Sequence, residues 1–340
     1  MTKGVSGGLM LLNAHCRTFR FTVLSLFLAF VASPVWADGS RLIEVEVQPV
    51  PLDYDDWQRS RFEGLVFRGG LHLSSPDEAF GGFSGLSLSA DGRGLVALTD
   101  EGTWLEAELT LDEDGVPEGL RYPRLSPLLD RQGKPHRNKA SADAEEILSW
   151  PGGRYLISFE RRHRLEQAAT GAAALPVEGP RDLDGLPDNS GIEAMARLAD
   201  GRLLLISEDG PVGDGRTAAW IGHPGHWQAL AYPAYRSFKP TSALTLGNGD
   251  VLVVERHFSF ATGIAIRLVR FDANAFGQFE VSEGDELAIL RPPLTIDNME
   301  ALARLPHPGG GERILLLSDD NFNPLQRTLL LTFDLPESGR

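Results

Sequence analysis

The sequence predicts an all-β protein, specifically a β-propeller of five or six four-stranded blades. Its composition favours strands and turns, because it contains 37 glycines and 22 prolines and few long amphipathic stretches. A five-fold internal repeat supplies the second observation, and the spacing of the repeat supplies the third. A β-sandwich and a helical repeat are the alternative architectures.

The second residue of each quoted copy is Ser or Glu, and the pattern starts there: a small or polar residue follows, then an aliphatic one, and then a turn centred on glycine. A short apolar strand follows the turn and ends in Asp or Glu, so each copy reads as a β-hairpin. The copies are FSGLSLSADGRGLVALTD (83–100), AEEILSWPGGRYLISFE (144–160), IEAMARLADGRLLLISE (192–208), TSALTLGNGDVLVVE (241–255) and MEALARLPHPGGGERILLLSD (299–319).

The spacing of the copies fits one propeller blade per copy. Their first-position residues lie 61, 48, 49 and 58 residues apart, and are Ser84, Glu145, Glu193, Ser242 and Glu300. A four-stranded blade with its loops takes about 40–50 residues, so two of the intervals contain insertions. The apolar character of the second strands on both faces suits inner strands that neighbouring blades cover on each side.

Outer strands are predicted at 103–111, 264–272 and 328–335. Only five residues follow Leu335, which is too few for a fourth strand in the last blade. We therefore expect N-terminal strands around 43–49 and 61–74 to close the ring. Residues 38–340 are predicted to form this single domain.

Residues 1–37 are predicted to be a secretory signal. Lys3, Arg17 and Arg20 form a basic region, an apolar run of eleven residues follows at 21–31, and Ala37 offers a small residue at the cleavage point. Eleven apolar residues are far short of the roughly 20 that span a bilayer. The pattern predicts a periplasmic or secreted protein whose mature chain has no integral membrane segment.

The mature chain is predicted to be cysteine-free and strongly acidic. The single cysteine, Cys16, lies in the signal, and removing the three basic signal residues from 32 leaves 29 Lys and Arg against 47 Asp and Glu, a net charge of −18. Such a field repels nucleic acid and anionic lipid, so no nucleic-acid partner is expected. An anionic substrate would need a local reversal of this charge.

The hairpins predict an acidic cluster at one mouth of the propeller channel. A hairpin places its first and last residues side by side at its open end. Because the blades surround one axis, these pairs of residues meet on one rim of the channel. Carboxylates that converge in this way need bound Ca²⁺ or another divalent cation, or paired cationic side chains. The candidate catalytic acids are Glu145, Glu193 and Glu300, and the candidate metal ligands are Asp100, Glu160, Glu208, Glu255 and Asp319.

Cationic and polar residues flank the same strand ends. Arg161 follows Glu160, Arg256 and His257 follow Glu255, and Lys239 precedes the fourth copy. We expect Arg161, Lys239 and Arg256 to orient an anion, with Asn321 as a further ligand or donor. His257 is a candidate general acid or base, for which an ordinary role at the rim is the alternative.

The repeat segments resemble the phytase-like, "esterase-like activity" family of bacterial secreted proteins. The resemblance lies in GGFSGL (81–86), LVALTDEG (95–102), AEEILSWPGGRYLISFERRHRL (144–165), LPDNSGIEAMARLADGRLLLISE (186–208), PTSALTLGNGDVLVVERHFS (240–259), NMEALARL (298–305) and LLLSDDNFNP (315–324). It implies a propeller outside the cytoplasm that hydrolyses phosphate or carboxylic esters. Glu146 departs from the expected pattern, in which a small residue follows the acid, and is expected to add charge to the rim.

The sequence thus favours an exported, metal-assisted hydrolase of phosphate or other anionic esters, with no organic cofactor. A non-catalytic propeller that binds a ligand or protein through the same mouth is the first alternative, because a fold does not determine a function. A propeller-type lactonase, which also uses a carboxylate-held metal, is the second.

Overall fold

The structure is a computed structural model that describes residues 39–213, 215–233 and 235–337, together with Met1. The predicted signal cleavage point lies outside the described residues. Within them, five antiparallel sheets form a β-propeller of five four-stranded blades, which confirms the predicted class and decides the blade number. No helix of the described part is long and apolar enough to cross a membrane.

The described residues from 39 onward begin with four strands that join sheets formed mainly by later strands: β1 (Arg41–Leu42), β2 (Glu46–Val50), β3 (Arg61–Phe62) and β4 (Leu65–Ser74). Blade one follows as β5 (Phe83–Leu88), β6 (Gly94–Thr99), β7 (Thr103–Leu111) and β8 (Pro117–Pro127), with β1 added outside β8. Blade two follows the short helix α1 (Lys139–Ala142) and consists of β9 (Ala144–Trp150), β10 (Arg154–Phe159), β11 (Arg164–Ala169) and β12 (Ala172–Val177).

The other three blades continue in the same order from the axis outward. Blade three is β13 (Ile192–Arg197), β14 (Leu203–Gly213), β15 (Arg216–His223) and β16 (His226–Pro233). Blade four is β17 (Lys239–Thr245), β18 (Val251–Ser259), β19 (Gly263–Phe271) and β20 (Asp285–Leu290). Blade five supplies β21 (Asn298–Leu305), β22 (Arg313–Asp319) and β23 (Thr328–Asp334) from the end of the chain.

The N-terminal strands complete blade five, as predicted. Strand β4 pairs with β23, with Leu71 opposite Leu330, and β2 pairs with the other edge of β4. The first and last parts of the domain therefore share one sheet, and the ring closes without leaving β23 as an open edge.

The inner strands β5, β9, β13, β17 and β21 pack against one another in a ring around the axis. The second strand of each blade is apolar on both faces because each face meets a different blade. In β18, Leu252 and Val254 pack into the core shared with blade five, whereas Val251 and Val253 pack into the core shared with blade three. This alternation explains the continuous apolar runs in the sequence.

Candidate functional site at the channel mouth

Every inner strand contains a β-bulge at the same place in its blade. At each bulge the pairing with the second strand skips one residue. This residue makes no ladder pair, and a bulge can redirect its side chain. The skipped residues are Ser84, Glu145, Glu193, Thr241 and Glu300.

A second set of five residues lies beside the bulges, on or directly after the second strand of each blade. In blade five, for example, Asp319 lies opposite Asn298 in the ladder. Both sets line one cavity of about 310 Å³ where the five blades converge. The second set is Asp100, Glu160, Glu208, Arg256 and Asp319.

The expected register of blade four is wrong by one residue. Glu255 lies opposite Pro240 and is buried between blades three and four, where its carboxylate accepts hydrogen bonds from Tyr232 Oη of β16 at 2.7 Å and from Arg267 Nη1 of β19 at 2.7 Å. Arg256 therefore takes the place in the cavity that the sequence assigned to Glu255. Glu255 does not belong to the set of residues that could hold a metal there.

Glu146 also lies away from the rim, contrary to expectation. Its buried carboxylate accepts hydrogen bonds from Ser242 Oγ at 2.5 Å and from the Ile147 amide at 2.9 Å, and burial raises its pKa well above the usual range. Glu146 and Ser242 come from blades two and four, which are not neighbours in the ring. Their hydrogen bond therefore crosses the channel rather than lying within one blade.

The cavity has an excess of acids. Eight carboxylates and four cationic side chains line it among the described residues. The cations are Lys139, Arg161, Lys239 and Arg256, so the lining would carry four net negative charges with every group ionised. Burial of so many like charges disfavours their ionised forms.

The pKa values of the acids reflect this crowding. Burial first, and the neighbouring Asp143 second, raise the pKa of Glu160 to about 7. Burial also raises the pKa of Asp319 to about 8 and that of Glu300 to about 7, although Arg256 opposes the shift at Glu300. For Glu145 and Glu193, burial followed by adjacent carboxylates raises the pKa well above its usual range.

Ion pairs divide the lining into two parts. On one side Arg256 lies 3.0 Å from Glu300 and 3.6 Å from Glu208, while Lys239 lies 3.5 Å from Glu208. On the other side Asp143 pairs with Arg161 and lies 3.3 Å from Lys139. Lys139 also pairs with Asp100.

The second side contains the described acids best placed for a metal ion. Asp143, Glu145 and Glu160 each offer an oxygen, and these oxygens lie within 4.8 Å of one another. Asp143 was not among the predicted site residues, because it precedes the second copy of the repeat and no residue type is shared at that position. Its equivalents one residue before the inner strands, or at their start, are Gly82, Gly191, Lys239 and Asn298.

The remaining predicted residues divide between the cavity and its surroundings. Asn321 lines the cavity, and its backbone N–H donates a hydrogen bond of 2.6 Å to Asp319 Oδ1. His257 does not line it: Nδ1 lies 2.7 Å from Ser237 Oγ and Nε2 lies 3.1 Å from Thr262 Oγ1. Since both ring nitrogens have partners outside the cavity, the expected acid–base position of His257 is wrong.

Comparison with known proteins finds solved structures of low sequence identity and one matching family model. A virginiamycin B lyase from Staphylococcus aureus is 11% identical over 86% of this chain and 100% of its own, with a TM-score of 0.41. A protein of unknown function from Dyadobacter fermentans is 11% identical over 87% of this chain and 99% of its own, also with a TM-score of 0.41. The sequence matches no curated protein. The family model "Phytase-like: Esterase-like activity of phytase" matches residues 78–322, so the chain belongs to this phytase-like family.

Proposed function

We propose that this protein is an exported hydrolase of phosphate or other anionic esters that works with a divalent cation at the channel mouth. The observation that carries the proposal is the cluster of Asp143, Glu145 and Glu160, whose oxygens lie within 4.8 Å of one another in a cavity that also contains arginine and lysine. Membership of the phytase-like family supports ester hydrolysis as the reaction class.

The donor set suits calcium. Carboxylate oxygens are the ligands of hard cations, and Ca²⁺ tolerates the irregular geometry of side chains from different elements. Asp143 precedes β9, Glu145 is the bulge residue of that strand, and Glu160 follows β10, so one hairpin supplies the three groups. When bound, a divalent cation would offset the excess negative charge and polarise the ester.

Cations on both sides of the cavity would position the substrate. Arg256 and Lys239 lie on one side and Arg161 on the other. A guanidinium group can make two parallel hydrogen bonds to a phosphate or carboxylate, which fixes the orientation of the group as well as its place. These contacts would exchange with the present ion pairs when an anion enters.

Glu300 is the carboxyl group best suited to move a proton. Its pKa of about 7 means that both forms are populated at neutral pH, as a general acid or base requires. The neighbouring Arg256, 3.0 Å away, would stabilise the ionised form after the proton has left. Glu193 lies near both and faces the same cavity.

A non-catalytic binding role is the second candidate. It is favoured by the fact that all four cations lining the cavity already pair with carboxylates. A channel mouth that only binds a ligand could keep all of these ion pairs, with the ligand bound at the outer surface of the mouth.

A hydrolase assay separates the two candidates. Metal-free protein should show little turnover of p-nitrophenyl phosphate, p-nitrophenyl acetate or a sugar lactone, and millimolar calcium should restore it with at least one of them. Glu300→Gln should then lower kcat by about 100-fold or more, the usual scale for a general acid or base. Glu118→Gln, an exposed acid outside the cavity, should leave kcat unchanged. Absence of turnover on all three substrates with calcium, zinc or manganese would favour the binding role.

Export is a separate prediction that intact-mass measurement can check. The basic region, apolar run and Ala37 predict that protein recovered outside the cytoplasm begins at Asp38. The mass of the recovered chain should therefore correspond to residues 38–340. A full-length species that stays in the cytoplasm would contradict the prediction.

A further inference from the structure

A second cavity, of about 620 Å³, lies beside the channel mouth and has the opposite charge. Arg131, Lys134, Arg137, Arg162 and Arg164 line it, against two acids, Asp130 and Glu166. The lining therefore carries a net charge of +3 in a chain whose overall charge is −15. We propose that this basic cavity binds a small polyanion that carries two or more phosphate groups.

The two acids of the basic cavity are already used within the fold. Glu166 is buried and accepts a 2.7 Å hydrogen bond from Arg131 Nε, with Arg164 Nε at 3.2 Å. Asp130 accepts hydrogen bonds from the amides of Gln132 and Lys134, at 2.8 and 3.0 Å, and so stabilises its own turn. Neither acid forms a salt bridge with the other two arginines of the cavity in the described part of the chain.

The other two arginines of the cavity are Arg137 and Arg162. Both are exposed, and neither forms a salt bridge with an acid in the described part of the chain. Beneath them, Arg164 is held rigidly: it stacks 3.6 Å over the Phe159 ring and donates a 2.7 Å hydrogen bond to the Ser141 carbonyl. A held guanidinium below two free ones is an arrangement that can surround a phosphate group.

One histidine nitrogen on the cavity wall also has no hydrogen-bond partner among the described residues. The Nε2 atom of His136 is buried and makes no hydrogen bond within the described structure. Burial and the nearby Arg164 lower the pKa of this imidazole, which keeps it neutral at pH 7. A bound ligand could supply the missing partner, either to a ring N–H or to a ring nitrogen lone pair.

The size and location of the cavity limit the ligand. At physiological salt, fields decay over about 8 Å, so a small anion inside the cavity responds to its +3 lining. A long nucleic acid would also meet the acidic surface outside it. Arg161 lines the acidic mouth and the next residue, Arg162, lines the basic cavity, so the two cavities share a wall.

The test is calorimetric titration of inorganic pyrophosphate into the intact protein, in EDTA so that no divalent cation contributes. Pyrophosphate should bind more tightly than inorganic phosphate, and added salt should weaken both. The double variant R137Q/R162Q should raise the Kd for pyrophosphate by about tenfold or more, since each arginine would lose a charge-assisted hydrogen bond. The matched double variant R93Q/R202Q removes the same charge from two glycine-centred turns outside both cavities, and should change the Kd less than twofold.

Three results would overturn the proposal. Equal weakening in both double variants would show that only the overall charge matters. If pyrophosphate binds more weakly to Arg256→Gln but not to R137Q/R162Q, the anion binds at the acidic mouth. Binding of pyrophosphate only when calcium is present would assign it to the metal cluster. If R137Q/R162Q melts well below wild type, Arg162→Gln alone serves, with Arg93→Gln as its control.

Discussion

The wild-type protein is expected to melt at a higher temperature with calcium, and the Glu160→Gln variant is expected to lose most of that rise. A ligand that binds only the folded state stabilises it by about 2.7 kcal/mol at 100 times its Kd, which for a domain of this size is a shift on the order of 5 °C. Glutamine keeps the size of the side chain but removes one negative ligand from the cluster with Asp143 and Glu145.

The metal-free protein should respond to the same substitution in the opposite direction. Burial and the adjacent Asp143 raise the pKa of Glu160 to about 7. At pH 8 the Glu160 carboxylate is therefore ionised, although burial and the charge of Asp143 disfavour the ionised form. Removing that charge should leave the melting temperature in EDTA unchanged or higher. If the acids instead served only to pair with arginines, the variant would be destabilised equally in EDTA and in calcium.

Melting curves in EDTA and in millimolar calcium, with Glu118→Gln as the exposed control, decide the matter. A wild-type protein with no response to calcium, manganese or zinc would exclude the metal hypothesis. A variant that keeps the full response would move the metal away from Glu160, and Glu193→Gln would be the next variant to measure. Glu193 lines the same cavity but lies outside the cluster of three.

The repeat made most of the mouth predictable. Hairpin geometry alone places Glu145, Glu193 and Glu300 on one rim, and all three line the cavity. Strand β4 completing the last blade was also predictable, because only five residues remain after Leu335. These inferences depend on the order and length of strands, which local sequence patterns determine.

For blade four the repeat pattern predicts the wrong strand register. The pattern aligns the fourth copy on Ser242, which is seven residues before Gly249. In blades one to three the bulge residue precedes a turn glycine by eight residues, as with Glu193 and Gly201. Applying that spacing to Gly249 selects Thr241, and Arg256 then becomes the residue of the second strand that faces the cavity. A slip of one residue turns every side chain of a strand to its other face, so this alignment predicts Glu255 in the cavity although it lies between blades three and four.

Other features of the mouth depend on contacts between distant segments. Asp143 and Lys139 come from the α1 region between blades, where the repeat offers no template. The hydrogen bond between Glu146 and Ser242 joins residues 96 positions apart across the channel. No local pattern encodes such distances, and only the closed ring brings the groups together.

The Arg256→Gln variant is expected to be strongly destabilised at pH 8 and much less so at pH 5.5. The guanidinium of Arg256 lies 3.0 Å from Glu300 and 3.6 Å from Glu208, and it also stabilises the charge of Glu193. Removing one partner of a fully buried ion pair typically costs about 3–5 kcal/mol, because the other charge stays buried and uncompensated. Arg256 and Glu300 are partly buried, so the low end of this range applies.

The pH dependence follows from the direction of the pKa shifts. Glu300 has a folded-state pKa of about 7 and Asp319 one of about 8, both above their values in the unfolded chain. Between about pH 4.5 and 8 the folded state therefore binds more protons than the unfolded state, and its stability falls as pH rises. Without Arg256 the pKa of Glu300 should rise further, which makes this fall steeper and extends it to higher pH.

Urea unfolding in EDTA at pH 5.5, 7 and 8 measures the effect. At pH 8 the variant should lose about 3 kcal/mol of unfolding free energy, whereas at pH 5.5 protonated neighbours need no counter-charge and the loss should be less than half as large. The matched control is Arg304→Gln, which breaks the exposed pair with Glu312 and should cost about 1 kcal/mol or less at each pH. A loss at Arg256 that is the same at all three pH values would mean that the arginine stabilises the mouth by packing. In that case the charge of Arg256 would not contribute to the stability of the fold, and we would assign it to substrate binding alone.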